Sequence, residues 1–283
     1  MEKLKKSRYL NVDRPMLQLK PFRAFLAAVL GFGYVYVGRI GVAVSFVSAS
    51  FALVALFSLM RWVLNPTAIY VLASGLLILI LVAIIHPVVI ATKHRTVLRK
   101  PYNRWWFYVG WVVVFGVLSN TLLKNRASLL GYETFQVPAS SMAPTLEAGD
   151  FIIADTWLYR SEKPQAGDIV VYEPYPNSEI KYVKRIVGVP GDEVELRGGR
   201  LFLNGRPARE KYLDPALRVG GIDFGPELLE GGEYFVLGDN RGNSRDSRYH
   251  GAVPLSRISG RVDSIWFSTA NAERFPAKVG RVE

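Results

Sequence analysis

Residues 105–123 read WWFYVGWVVVFGVLSNTLL, and the lysine that closes them, Lys124, marks where the chain changes character. The run is apolar, uncharged and close to the roughly 20 helical residues that a bilayer core requires, so it predicts a membrane-spanning helix. Two further runs of spanning length, residues 40–60 and 67–92, precede it, and no Asp or Glu occurs anywhere between Ala24 and Leu123. A fourth stretch, 24–38, is shorter and glycine-bearing and runs up to Arg39, which predicts an interfacial or re-entrant piece, or an extension of the first span, rather than a full span of its own. Everything after Lys124 has the mixed composition of a soluble domain. The expectation is a membrane anchor over residues 1–123 joined to a globular domain over residues 124–283.

The formal charge of +11 invites a nucleic-acid reading, so its location matters. Residues 1–123 hold 14 Lys and Arg against 2 acids, while residues 124–283 hold 21 against 22. The surplus belongs to the membrane half, and a globular half so near neutral argues against nucleic acid as a partner. Lys3, Lys5, Lys6 and Arg8, and likewise Lys93, Arg95, Arg99 and Lys100, read as cytoplasmic flanks of spanning helices, in contact with the lipid bilayer. With both clusters inside, an even number of crossings separates them. A third crossing through residues 105–123 then exports the globular half, with Trp105, Trp106, Phe107 and Tyr108 as an aromatic anchor at the inner interface. The expected location is therefore the inner (plasma) membrane, multi-pass, with the amino terminus cytoplasmic and the globular half on the outer, periplasmic side. A cleavable signal peptide over residues 1–38 is the rival reading, and the long basic region without a small-x-small site before the next span argues against it. His86, in a span just before Pro87, is an intramembrane ionisable residue and by default a functional candidate; the plainer reading is a neutral histidine bonded across helices near the kink.

There is no cysteine, so a thiolate nucleophile, a disulfide and a Cys-ligated metal are all excluded. Of the three histidines, His86, His94 and His250, two fall in the membrane half. A Ser-His-Asp triad or a His-based metal site has little to draw on, and the base that serves this protein is expected to be something else.

The exported half lacks long helical periodicity. Short strand-like runs, residues 168–172, 180–187, 193–196, 200–203, 234–237 and 261–267, alternate with Gly, Pro and Asn turns, and Arg197-Gly198-Gly199 and Asn204-Gly205 are hairpin signals. The expected fold class is N-terminal transmembrane helices followed by a mostly β domain.

Three segments are rich in residues that could carry chemistry: Pro138–Leu146 around Ser140 and Ser141, Tyr182–Asp192 around Lys184, and Gly238–Gly251. A Ser-Ser pair in a Pro-bounded loop is by itself an ordinary turn. Lys184 carries more information. Read with a period of two, its strand sets Ile180, Tyr182, Lys184 and Ile186 on one face and Lys181, Val183, Arg185 and Val187 on the other. A lysine among apolar residues either snorkels to the strand edge or is buried with a depressed pKa, and in the second case it can accept a proton. A serine hydroxyl needs such a base, and lysine serves where histidine is absent. Ser141 and Lys184 are candidates for that pair on physical grounds alone.

Together the three segments resemble the type I signal peptidase family, the bacterial form with a Ser-Lys dyad. The motifs run in the family's order across Pro138 to Pro254, and Gly-Asp-Asn-Arg-x-Asn-Ser-x-Asp-Ser-Arg-x-x-Gly at 238–251 is long and specific. The membrane half is similar only in being an anchor. The resemblance implies a signal peptidase-like complex β fold, Ser141 as nucleophile and Lys184 as general base. It also implies Ser244 as the hydroxyl that orients the lysine and Asp246 with Arg248 as a supporting salt bridge; Asp239 and Asn240 are read as turn scaffold. No metal or cofactor is required. The implied activity is acyl transfer by a membrane-bound serine endopeptidase, with signal peptides of preproteins as substrates and the secretion machinery as a neighbour. Phe135, Val137 and Ile186 are the expected lining of shallow pockets for small residues. One departure stands out: the position two before the nucleophile, where the family often carries a hydroxyl that helps hold the oxyanion, is Ala139. His250 stands where an aromatic residue is common. Rival readings are a dedicated maturation peptidase of the same fold, a relative of self-cleaving repressors, which the spans disfavour, and a silent scaffold that captures peptides by strand addition.

Overall fold

A computed structural model describes residues 16–218, 222–269 and 277–278; the basic cluster from Lys3 to Arg8 lies outside them. The chain forms two compact units, one made of residues up to Ala55 with Leu72–Leu123, the other of Leu56–Val71 with Lys124 onward.

In the first unit, β1 (Met16–Gln18) leads into two short helices, α1 (Pro21–Val29) and α2 (Gly33–Tyr36), followed by α3 (Ile40–Leu59), α4 (Pro66–Lys93) and α5 (Trp105–Lys124). The last three are long and apolar enough to cross a membrane, whereas α1 and α2, which fill the 24–38 region, are not. Apolar side chains such as Ile78, Val113 and Val114 are exposed around these helices, as expected where the surrounding solvent is lipid. A strand β2 (Thr96–Leu98) pairs antiparallel with β1, Met16 opposite Leu98 and Gln18 opposite Thr96. This joins the segment ahead of α1 to the loop after α4. Tyr34 Oη lies 2.9 Å from His86 Nδ1, so the histidine is bonded across helices beside Pro87 as its position suggested. Gly33 is required there, because a Cβ would fall 2.7 Å from Ala28 Cβ and 2.8 Å from Pro87 Cγ.

The second unit is mostly β. After a short α6 (Arg126–Leu130) come β3 (Tyr132–Gln136), β4 (Asp150–Asp155), β5 (Ile169–Tyr172), β6 (Tyr182–Gly188), β7 (Glu193–Arg197), β8 (Arg200–Leu203), β9 (Arg206–Pro207), β10 (Phe224–Leu228) and β11 (Glu233–Leu237). A single helical turn α7 (Ser247–His250), β12 (Val253–Pro254), the long β13 (Ile258–Ser268) and β14 (Ala277–Lys278) complete it. The main sheet runs β12-β11-β6-β5-β13-β4-β3, with β14 beside β13, and a smaller sheet runs β10-β7-β8-β9.

β5 reads Ile-Val-Val-Tyr without alternation because both its faces are buried: Ile169 and Val171 join a core with Val137, Met142 and Leu146, while Val170 and Tyr172 join another with Ile186 and Tyr234. The small sheet packs Val194, Leu196 and Leu201 against Val187, Phe235 and Leu237. Its two predicted hairpins form at Gly198-Gly199 and Asn204-Gly205, all four residues at positive φ as tight two-residue turns demand. These layers set β6 and β11 side by side, with Ile186 opposite Val236 and Arg185 opposite Leu237. Lys184 and the start of the 238–251 segment are thereby neighbours.

Candidate active site

Ser141 lies on a single 3-10 turn, Ser140–Met142, just after β3. Met142, fully buried against Val137, Leu146 and Ile152, pins that turn to the core. Lys184 projects from β6, paired with Val170 of β5, and is only 4% exposed. Its Nζ lies 2.8 Å from Ser141 Oγ and donates to Val183 O at 2.8 Å. Burial pushes the ammonium down to about 8; the carboxylates of Asp246 and Asp239 pull in the opposite direction, and the Arg248 guanidinium adds to the lowering. A group poised so near neutrality holds a fraction of free amine under physiological conditions, the state in which the Ser141 O–H can donate to the Nζ lone pair.

The 238–251 segment surrounds this pair. Asp246 and Arg248 form a buried fork: Nε donates to Oδ1 at 2.8 Å and Nη2 to Oδ2 at 2.9 Å. Asp246 Oδ2 also accepts from Gly238 N at 3.0 Å and from Ser244 Oγ at 2.7 Å. Ser244 thus gives its hydroxyl to Asp246 and makes no hydrogen bond to Lys184, which differs from the role that the resemblance implied for it. The carboxylate binds Ser244 more strongly than an amine would, being an ionised acceptor.

Asp239 and Asn240 do more than shape a turn. Asp239 receives a second buried fork, from Arg185 Nε at 2.9 Å and Nη2 at 2.8 Å, and also the Thr145 hydroxyl at 2.6 Å. Asn240 N donates to Ser141 O at 3.1 Å, and its Nδ2 to Ser140 O at 3.2 Å. Asn243 Nδ2 donates to Ser140 Oγ at 3.2 Å. By sequence Asp239 and Asn240 are turn scaffold, and Arg185 is one more residue on the face away from Lys184. A buried arginine next to the lysine needs a carboxylate within reach, and Asp239 in the third motif was the available signal.

Of the three residues expected to line pockets, Ile186 is corrected. It is fully buried in a cluster with Tyr172 and Val236, while Phe135 and Val137 belong to the core beneath the serine turn. A strand buried on both faces leaves Ile186 no surface to offer. His250 finds a role as a brace: its Nδ1–H donates to Gly251 O and its Nε2 accepts from Tyr172 Oη, both at 2.9 Å. Burial lowers its pKa, in keeping with the neutral ring that this pair of bonds requires. No side-chain donor stands at Ala139; the neighbouring Ser140 carries a hydroxyl whose oxygen already accepts from Asn243.

A sequence model of the family described as signal peptidase, peptidase S26, matches residues 108–267. The chain is 38% identical over 145 residues to a signal peptidase I of Leptolyngbya laminosa, covering 47% of this chain and 70% of that protein. It is 34% identical over 190 residues to a probable signal peptidase I-2 of Synechocystis sp., covering 62% and 83%. With a signal peptidase I of Bacillus amyloliquefaciens it shares 34% identity over 184 residues, covering 62% and 92%.

Proposed function

We propose, from the premise that this chain belongs to the signal peptidase family, peptidase S26, that Ser141 is its nucleophile and Lys184 the base that activates it. The chain is a membrane-anchored serine endopeptidase that removes signal peptides from exported preproteins. The single observation that carries the residue assignment is the 2.8 Å approach of Lys184 Nζ to Ser141 Oγ within a buried site. Neutral Lys184 takes the serine proton as Oγ attacks the scissile carbonyl; the resulting ammonium then protonates the leaving amine. Water, deprotonated by the same amine, hydrolyses the acyl-enzyme and frees Ser141. Asp246, Arg248 and Ser244 support the pair by holding Gly238 and by setting the charge around Lys184. Ala139 leaves the oxyanion to backbone N–H groups, with the Ser140 hydroxyl beside them.

The wider reading is a signal peptidase-like complex β fold in a domain of residues 124–283, carried outside the inner membrane by three crossings of an anchor over residues 1–123. Two local features support the orientation. The β1–β2 pair ties the segment ahead of α1 to the basic loop after α4, so both lie on one side of the membrane, the side the positive-inside rule assigns to the cytoplasm. The loop after α3 packs on the β-rich unit, Leu64 O accepting from Ser264 Oγ at 3.0 Å, which suits a loop and a domain that share the other side. The secretion machinery that delivers the preproteins is then a functional partner.

The test is cleavage of a model preprotein in detergent micelles by the wild type, Ser141→Ala and Lys184→Ala. Release of mature protein by the wild type and its loss in both folded variants is the expected outcome. Activity retained by either variant would overturn the dyad.

A further inference from the structure

Residues 208–218 form a strap that packs on Arg241 and Arg185. Its charged run Arg209-Glu210-Lys211 looks solvated in sequence, yet the strap alternates, with Arg209 and Lys211 exposed and Glu210 buried. Glu210 pairs with the guanidinium of Arg241, which is itself 1% exposed. Tyr212 Oη donates to Glu210 Oε1 at 2.9 Å and accepts from Arg241 Nη2 at 3.4 Å. The face of the Tyr212 ring lies 4.0 Å from the guanidinium carbon of Arg185. Burial, with the Glu210 carboxylate beside it, pushes the phenol pKa up, so Tyr212 remains a neutral donor.

Two arginines thus sit fully buried beside Gly238–Asn240, and the strap touches both. Arg185 follows Lys184 in β6 and grips Asp239 with both arms of its fork, while Arg241 Nε donates to Gly238 O at 3.2 Å. The backbone between them, Gly238 to Asn240, holds the nucleophile turn through the bond from Asn240 N to Ser141 O. A guanidinium stacked on an aromatic face loses rotational freedom without losing its in-plane donors, which is what a fork aimed at a carboxylate needs.

We propose that Glu210 and Tyr212 are positioning residues of the reaction: by clamping Arg241 and Arg185 they fix Gly238–Asn240, and through it the alignment of Ser141 on Lys184. This rests on the signal peptidase reading above. The contacts of Glu210 and Tyr212 run to Arg241 and Arg185 and not to Ser141 or Lys184, so they act on the dyad through those arginines, and the expected effect is on turnover rather than binding. A misplacement near 1 Å at a reacting pair can cost about 100-fold. Loosening Arg185 also leaves Asp239 less neutralised, and Asp239 is one of the carboxylates that favour the charged form of Lys184.

The experiment compares wild type, Tyr212→Leu, Tyr212→Phe and Glu210→Gln as full chains in micelles, by preprotein cleavage and by the rate at which a serine-directed acylating probe labels Ser141, each across pH. Tyr212→Leu is expected to lose about 100-fold in kcat with KM unchanged and to move the acid limb of the labelling rate to higher pH. Tyr212→Phe keeps the stacked ring and is expected to recover most of the activity; Glu210→Gln, which leaves Arg241 without its counter-charge, falls with Tyr212→Leu. Normal kcat per labelled molecule in Tyr212→Leu, a limb that does not move, or a Tyr212→Phe as slow as Tyr212→Leu would each overturn the proposal. Should the wild type cleave no preprotein, the signal peptidase reading falls while the labelling rates still decide whether the strap aligns the dyad.

Discussion

Lys184 is a lysine that folding keeps from being fully charged. Its pKa falls from 10.5 to about 8, mainly because a side chain 4% exposed has lost its hydration. The proton acceptor is the neutral amine, so labelling and cleavage are expected to rise as pH rises through about 8, in a profile of kcat/KM against pH. The same shift has a cost in stability. Between pH 8 and 10.5 the unfolded chain keeps a proton that the folded one has released, so stability rises with pH across that window and is lowest below it. Lys184→Met is therefore expected to abolish cleavage yet stabilise the fold near pH 7 by up to about 3 kcal/mol, an advantage that fades by pH 10.5 in thermal unfolding. At this scale the sequence was legible where a motif fixed residue type and spacing: Ser141, Lys184, Ser244, Asp246 and Arg248 are gathered as expected. The orientation of Ser244 toward Asp246, the burial of Arg185 and the role of Glu210 were not legible. A period of two separates faces but cannot say that both are buried, and a Glu between two exposed cations has the pattern of a solvated turn.

Among the elements, the 238–251 segment organises the site. It starts where β11 ends, and its glycine is a steric requirement. A Cβ on Gly238 would fall 2.2 Å from Ser244 Oγ and 2.5 Å from Ser141 O, both belonging to the site rather than to a yielding side-chain end. Gly238→Ala is expected to displace the nucleophile turn and lower kcat by about 100-fold. Overpacking there should also destabilise by about 1–3 kcal/mol, which denaturant titration alongside the cleavage assay will read. The strands that sequence reading found, β5, β6, β7, β8, β11 and β13, are those with apolar runs or a hairpin signal beside them. β3, Tyr-Glu-Thr-Phe-Gln, was missed because it lies at the sheet edge, half-buried and mixed in polarity. β4 begins and ends in Asp, and both are buried with partners: Asp150 accepts from Glu147 N, and Asp155 accepts from Trp157 N and Leu158 N and pairs with Arg61. Local pattern records polarity, whereas tertiary hydrogen bonds decide whether a polar residue can be buried.

For the whole molecule, the division at Lys124 that composition suggests omits one piece: the turn after α3 folds with the β-rich unit, more than fifty residues away along the chain. Val63 and Leu64 are buried against Ile153, with Tyr132 and Trp266 packed around them. Arg61 pairs with the buried carboxylate of Asp155, and Leu64 O takes the hydroxyl of Ser264, whose side chain has no exposure at all. A fragment starting at Lys124 would uncover Ile153, leave Asp155 without its cation and remove the carbonyl that accepts from Ser264, three separate losses on one face of β4 and β13. The expected outcome is a lower melting temperature for the fragment than for the β-rich unit of the full chain, and Leu64→Ala in the full chain should reproduce part of it, about 2 kcal/mol. Because the loop packs on Ile153 while the serine turn packs through Met142 with Ile152, on the opposite face of β4, Leu64→Ala should leave kcat per labelled serine unchanged at temperatures where the unit is folded. A fragment as stable as the full-length unit would mean that the buried turn contributes nothing and that the boundary at Lys124 is the true one. A destabilised fragment would mean that the anchor, besides placing the peptidase at the membrane, supplies part of its core.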